Sequence, residues 1–529
     1  MSNKFNHGFN KEKSNSQFIK NIIYTGQFIY SFDYSGTDNV NNYIPLRNID
    51  RSLTYTTNIN RTGNSYIIRV NYSFIYNNET NDGLTFRFNN VYSFYNNYTT
   101  NLKINNFSDI PLSREGSNFA NLINIIFQSN SGNPRILSNT NLAHCFCNAT
   151  NFNSDISNWE IRNVTNMKGM FRDAKYFDQP IGEWDVSNVT NIDYMFYGAI
   201  SFNQDISDWD VSNVRNMACM FSGANNFNQD ISDWDVSNVI DMGYMFNNAS
   251  IFNQDISNWI VSNVSIMSGM FQGALSFNKD ISNWNVSNVR TMGGMFSGAN
   301  KFNQDISKWR VNNVKNMNSM FQGALVFNQD ISNWNVSNVT SMNSMFSGAI
   351  VFNQDISDWI VSNVIDMGYM FQEALAFNKP IGDWDVINVT DMSNMFQGAV
   401  NFNQDISNWD VNNITDMSNM FQGAVNFNQN LQSWDVNKVT IMSSMFEGAL
   451  KFNSYIGRWN INNGTNINRM FYNATNFNNG QSEKENSSPM EWKNISNYHN
   501  TAYNSFSVGS NLTLWDGSNG NSPFTTTGV

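Results

Sequence analysis

The sequence predicts a repeat solenoid of 25-residue coils, each with a short parallel strand and a short helix, preceded by a small antiparallel β domain. Three observations predict it. Thirteen tryptophans, from Trp159 to Trp459, follow one another at intervals of 25 residues with no insertion, and so strict a period means stacked units that share one continuous core. Within each unit the apolar spacing changes from strand-like to helix-like. Ahead of the array, apolar and polar residues alternate with a period of two.

In chain order, residues 1–19 are polar and read as a flexible arm. Residues 20–112 form the β domain: "FIYSFDY", "YIIRVNYSFIY" and "LTFRF" alternate as half-buried strands do, and Asn81, Asp82 and Gly83 supply a turn before Leu84. Over 113–136, Phe119, Leu122, Ile123 and Ile126 fall on one helical stripe, predicted to seal the first coil as an N-cap. Residues 137–478 are the array. After a polar insertion, "NNGQSEKENSSP", residues 479–529 carry Trp492, Phe506 and Trp515 and read as a degenerate last coil and C-terminal cap, which a stack needs to hide its core and strand edge.

The unit is F-N-Q-D-I-S-x-W-x-V-S-N-V-T-x-M-x-x-M-F-x-G-A-x-x. Around the tryptophan, Ile206, Trp209 and Val211 suit a short strand that pairs with its copy in the next coil. Val214, Met217, Met220, Phe221 and Ala224 then take helical spacing, with the preceding Ser and Asn as N-caps. The helix stop is Gly198, Gly223 or Gly273 in some coils and Asn148, Asp173, Asn248 or Asn473 in others, residues that share tolerance of left-handed backbone. Glu373 breaks that rule. The array holds 24 of the 26 methionines, and because Ile192 and Ile467 replace two of them the stripe reads as core packing rather than copper ligation.

Composition narrows the function. The formal charge is -12, but residues 1–136 are net basic and the remainder of the chain, mostly the array, carries the acidic excess, which repels phosphate backbones and argues against nucleic acid. Cys145, Cys147 and Cys219 have neither disulfide-framework nor zinc spacing and read as small core residues. No apolar signal stretch, lipid-attachment cysteine or run of 18 apolar residues occurs, so no direct membrane span is expected.

Two ladders and one variable face carry the candidate chemistry. The unit aspartate (Asp155, Asp205, Asp230, Asp255, Asp280, Asp305, Asp330, Asp355, Asp405) would stack at about 5 Å, the spacing of neighbouring strands. It either accepts backbone N–H groups in its own turn or shares calcium; Pro180 and Pro380 at the same position favour the turn, so no cofactor is expected. The unit asparagine, from Asn163 to Asn413, reads as a buried amide ladder, which would deny glycans to sequons such as Asn188 and Asn338 and leave Asn71, Asn97 and Asn494 as the accessible ones. Residues beside the tryptophan should point outwards, and they vary: Asp208, Asp210, Asp233 and Asp235 are acidic, Lys308 and Arg310 basic, Ile260 and Ile360 apolar. A variable face on a fixed core suits recognition. Catalysis is not supported, because His7, His144 and His499 are far apart and an active site needs one asymmetric constellation rather than thirteen near copies.

Halves of the type "VSNVTSM" (336–342) and "FNQDISNW", on a 25-residue period, resemble the BspA-type leucine-rich-repeat surface proteins, in the variant of mycoplasma lipoproteins and large DNA viruses of protists. The resemblance covers about residues 137–478 and implies a leucine-rich-repeat-like solenoid with an adhesive or recognition role and no catalytic residues. The chain departs from secreted members in lacking their signal peptide and lipobox. The expected function is therefore a non-enzymatic virion-surface or cell-surface structural protein that binds protein or glycan on a host or neighbouring surface, with homo-oligomers forming through the N-terminal domain. An internal scaffold or cement protein is the alternative, and a carbohydrate-active solenoid enzyme, with paired acids such as Asp208 and Asp210, a remote one.

Overall fold

The computed structural model describes residues 22–33, 46–47, 54–62, 65–76, 85–86 and 102–477, the last span without 108–111, 113–114, 139, 458 and 463–464. The arm at 1–19, the turn at 81–83, the C-terminal cap at 479–529, and Asn97 and Asn494 lie outside the described residues.

Five strands form the N-terminal sheet in the order β3 (Thr54–Thr62), β4 (Ser65–Tyr76), β1 (Ile22–Asp33), β6 (Leu102–Asn106) and β7 (Ile125–Phe127). A two-stranded pair joins β2 (Leu46–Arg47) to β5 (Thr85–Phe86). The long alternating segments pair as expected: β1 lies antiparallel to β4 from Ile22↔Tyr76 to Asp33↔Ser65. Tyr30 faces both Ile68 and Ile104 across the sheet, and all three are fully buried. Within residues 20–112 every described strand pair is antiparallel, as expected, while β7, beyond that domain, adds to β6 in parallel.

That parallel pair joins the sheet to the array. Phe127, at the end of β7, meets Phe107 and Phe152 edge-on at 4.9 and 5.2 Å and stacks on Trp159 at 6.1 Å. Beside it, the N–H groups of Ser117, Phe119 and Asn121 donate to the carbonyls of Ala143, Cys145 and Cys147, so this segment lies on the first repeat as a rung. Among the described residues of 113–136 the predicted helix does not form. Phe119 and Leu122 do bury against the first repeat, but Ile123 and Ile126 are exposed, since strand alternation in β7 turns Ile126 to solvent.

The repeats stack in register. Parallel bridges join equivalent positions from Asn141↔Asn166 to Ile441↔Asn466 without a break. Their location overturns the division of the unit into a strand half and a helix half. No helix occurs among the described residues. In the methionine half, Met167, Gly169, Phe171 and Asp173 donate to the carbonyls of Asn191, Asp193, Met195 and Tyr197 of the next repeat. The alternate N–H groups, of Met170, Arg172 and Ala174, close three-residue turns onto Met167, Gly169 and Phe171. The tryptophan half forms no strand; it turns at Ile206–Trp209 and Val211–Val214.

Backbone sign explains the difference. Each repeat places two residues at positive φ: the one before the second Met (Tyr194, Cys219, Ser319) and, four residues later, the expected stop position, mostly Gly or Asn (Gly198 at 66°, Asn248 at 55°). An α-helix has right-handed φ throughout, so left-handed residues at this spacing force a chain of turns instead. Glu373 takes φ 54° where most repeats have glycine. Glu373→Gly is therefore expected to stabilise the protein by about 0.5–1 kcal/mol, a relief of left-handed strain, measured as a rise in the denaturation midpoint.

Nine apolar positions per repeat form the core. In one copy they are Phe202, Ile206, Trp209, Val211, Val214, Met217, Met220, Phe221 and Ala224, all buried. Rings stack along the array: Phe171 on Phe196 at 5.6 Å, Phe177 on Phe202 at 6.1 Å, Trp209 on Trp234 at 6.4 Å. Across the boundary between units, Phe196 and Phe202 stack at 3.9 Å. Of the cysteines, Cys145 and Cys219 join the buried set and Cys147 is half-buried.

Candidate functional site: the outward faces of the repeats

The polar positions divide into those that fasten one repeat to the next and those that are free to vary. Each tryptophan from Trp184 onwards donates its indole N–H to a carbonyl of the preceding repeat, as Trp209 does to Ile181 at 3.0 Å. The unit asparagine also bridges repeats, Asn213 Nδ2 donating to the Ser187 carbonyl at 2.8 Å and Asn338 Nδ2 to that of Asn312 at 2.7 Å. This ladder stands on the surface and not in the core, so burial does not shield Asn188 or Asn338. Where Lys438 replaces asparagine, its Nζ still reaches Asn413 Oδ1, at 2.7 Å.

Sequence reasoning missed a second ladder at the asparagine after the unit phenylalanine. Asn203 Oδ1 accepts the Asn228 N–H, Asn228 Oδ1 that of Asn253, and Asn253 Oδ1 that of Asn278. Its signal was present, because the Phe-Asn pair recurs in almost every unit.

The unit aspartates have partners in their own turns. Asp205 Oδ1 accepts both the N–H and the hydroxyl of Ser207, and Asp155, Asp230, Asp255, Asp280, Asp305, Asp330, Asp355 and Asp405 take the corresponding N–H. These serine hydrogen bonds hold the carboxyls of Asp205 and Asp355 below the usual carboxylate range, since they favour the charged form. Among the described residues, no group of three or more His, Cys, Asp or Glu is arranged to hold a metal.

All eight residues of the proposed recognition face are exposed: Asp208, Asp210, Asp233, Asp235, Ile260, Lys308, Arg310 and Ile360. Asp208 and Asp233 occupy one unit position in successive repeats, as do Asp210, Asp235 and Ile260 in three. Arg310 follows two repeats after Ile260, and Ile360 two after Arg310. Ile260 and Ile360 are 59% and 61% exposed, more than any other large apolar side chain among the described residues. Asp210 and Asp235 have a structural task as well, each accepting the N–H of the serine two residues on.

A second grouping had no sequence signal, because it forms only when positions about 25 residues apart are stacked. On the methionine face of the first repeats, Lys168 Nζ contacts Asp193 Oδ2 at 2.7 Å and lies 5.6 Å from the Tyr194 ring. The Arg172 guanidinium lies over both Tyr194 and Tyr197, at 5.7 and 5.3 Å. A Cβ on Gly169 would stand 2.6 Å from His144 Nδ1, so the imidazole closes over that glycine. Burial, and then the charges of Lys168 and Arg172, hold the His144 pKa below its ordinary value.

No helix among the described residues is long and apolar enough to cross a membrane. Comparison with curated proteins and with solved structures gives no match. Five overlapping segments, 117–231, 202–309, 251–353, 291–409 and 390–515, match the family described as "Mycoplasma protein of unknown function, DUF285". These segments run from the rung at Phe119 through every repeat, and the chain belongs to that family of repeat proteins.

Proposed function

We propose that the stacked repeats form a solenoid of the BspA type that serves as a non-enzymatic recognition and adhesion rod on a virion or cell surface. Its partner is a protein or glycan of a host or neighbouring surface, met by the column of side chains that follows each tryptophan, with the N-terminal sheet serving for attachment and self-association. One observation carries this reading. Along that column the residues run Asp210, Asp235, Ile260, Asn285, Arg310, Asn335, Ile360, while the tryptophan beside each of them never changes. Isoleucines left exposed on such a column have no folding role, and their energetic use lies in burial against a partner. The repetition of the unit also speaks against an active site, because catalysis needs a single asymmetric arrangement of groups.

The test is to label intact particles or cells with antibody against the array, and to measure binding by a variant with Ile260→Asn, Lys308→Asn, Arg310→Asn and Ile360→Asn. External labelling and at least tenfold weaker attachment by the variant are expected. Labelling confined to the interior would overturn the reading and favour a scaffold that bridges neighbouring subunits.

A further inference from the structure

We propose that the Lys168, Arg172, Asp193, Tyr194 and Tyr197 cluster is a binding site for a neutral saccharide unit, held through a hydroxyl group. The proposal rests on the recognition reading and names one ligand class for it, at a place distinct from the variable column.

The cluster is where the array departs from its own pattern. At the position of Lys168 and Asp193 the other repeats carry Ala218, Gly243, Ser268 or Asn318, and at that of Arg172 they carry mostly serine or glutamine, such as Ser222 and Gln272. Charged and aromatic groups have thus replaced small polar ones in two consecutive repeats. Two of their atoms are left over. Asp193 is 3% exposed; its Oδ2 takes Lys168 Nζ, while its Oδ1 is buried with no hydrogen-bond partner. Arg172 Nε is likewise buried without one, 3.5 Å from Asp173 Oδ2. Buried polar atoms are normally satisfied, so an orphaned donor and an orphaned acceptor in one cluster need an explanation.

The charges select the ligand. Lys168 and Arg172 are offset by Asp193 and Asp173, so the site offers no net field to an ion. A carboxylate or phosphate would answer Arg172 Nε but face the Asp193 carboxylate, and an ammonium group would answer Asp193 but face two cations. Hydroxyl groups can do both, accepting from Nε–H and donating to Oδ1, and a saccharide unit carries several of them. Around it, the half-buried rings of Tyr194 and Tyr197, 5.8 Å apart, give an amphipathic wall suited to a pyranose face. Lys168, whose Nζ lies on Asp193 Oδ2, is 41% exposed and can turn towards solvent to admit the hydroxyl.

Saturation-transfer NMR on the full chain, with methyl glycosides of glucose, galactose and mannose as probes and methyl glucuronide and glucosamine as charged controls, tests this. Transfer to at least one neutral hexoside is expected, with at least tenfold weaker binding in Arg172→Gln and Asp193→Asn. Both substitutions install residues that other repeats carry at those positions, so melting should not change. No transfer to any hexoside, preference for either charged sugar, or binding indifferent to both substitutions would overturn the proposal; the first result would mean that a water molecule alone serves the two atoms. If surface attachment survives while hexoside binding is absent, the saccharide site falls and the recognition reading stands. If labelling is interior while hexoside binding is intact, the recognition reading falls and the saccharide site stands.

Discussion

Replacing Trp309 by alanine is expected to destabilise the array by about 3–5 kcal/mol, the range for deleting a large buried aromatic, and to divide one unfolding transition into two. Trp309 stacks on Trp284 at 6.5 Å and on Trp334 at 6.4 Å, and packs against Phe296 at 6.1 Å. Its indole N–H donates to the Ile281 carbonyl at 3.0 Å. The substitution removes all four contacts at once and leaves that carbonyl without its indole donor. A stack of repeats is stabilised by terms within repeats and between nearest neighbours, so a break in the middle uncouples the two ends. Calorimetry should therefore show two separate transitions. Trp309→Phe should recover most of the apolar contact yet remain about 1–3 kcal/mol short, the usual cost of an unsatisfied buried group. A single transition shifted by less than about 1 kcal/mol in the alanine variant would show that the ladder is not what holds neighbouring repeats together.

What the sequence made legible, and what it hid, follows from how apolar spacing encodes structure. The nine core positions were readable because each copy repeats them, and the structure buries every one in the unit from Phe202 to Ala224. The local backbone was not. Val214, Met217, Phe221 and Ala224 recur every three or four residues, which a helix of 3.6 residues per turn produces, but chained three-residue turns produce it too. The deciding signal was the residue before the second Met. Gly169, Gly269 and Gly294 there point to left-handed backbone, but Tyr194, Tyr244 and Tyr369 adopt it as well and mask the pattern. The unit asparagine misleads for a different reason: its near-invariance reads as burial. Its constraint is reach, since the amide must span the gap to a carbonyl of the preceding repeat, and that requirement holds equally at an exposed surface. The pairing of Lys168 with Asp193 could not be read at all, because their partnership exists only after stacking.

Removing one whole repeat, residues 303–327, should leave a folded protein with a melting temperature only a few degrees lower, whereas removing residues 303–314 should disrupt the array. The reason is that every fastening in the stack is written as a fixed offset in the chain. The Met217 N–H reaches the carbonyl 24 residues on, Asn203 Oδ1 the N–H 25 residues on, Asn213 Nδ2 the carbonyl 26 residues back and Trp209 Nε1 the carbonyl 28 residues back. Excising 25 residues preserves all four offsets across the junction and restores the stacking of Phe302 on a phenylalanine of the same unit position. Excising 303–314 joins Phe302 to Lys315 and leaves a repeat without Ile306, Trp309, Val311 and Val314, all of them buried. The remaining residues cannot close the circuit, so the rings on either side lose their stacking partners together, a loss expected to exceed about 5 kcal/mol. Circular dichroism and melting of the two deletion proteins provide the comparison. If the 25-residue excision proved as damaging as the 12-residue one, the repeats would not be equivalent, and the strict spacing of the tryptophans would need a cause other than stacking.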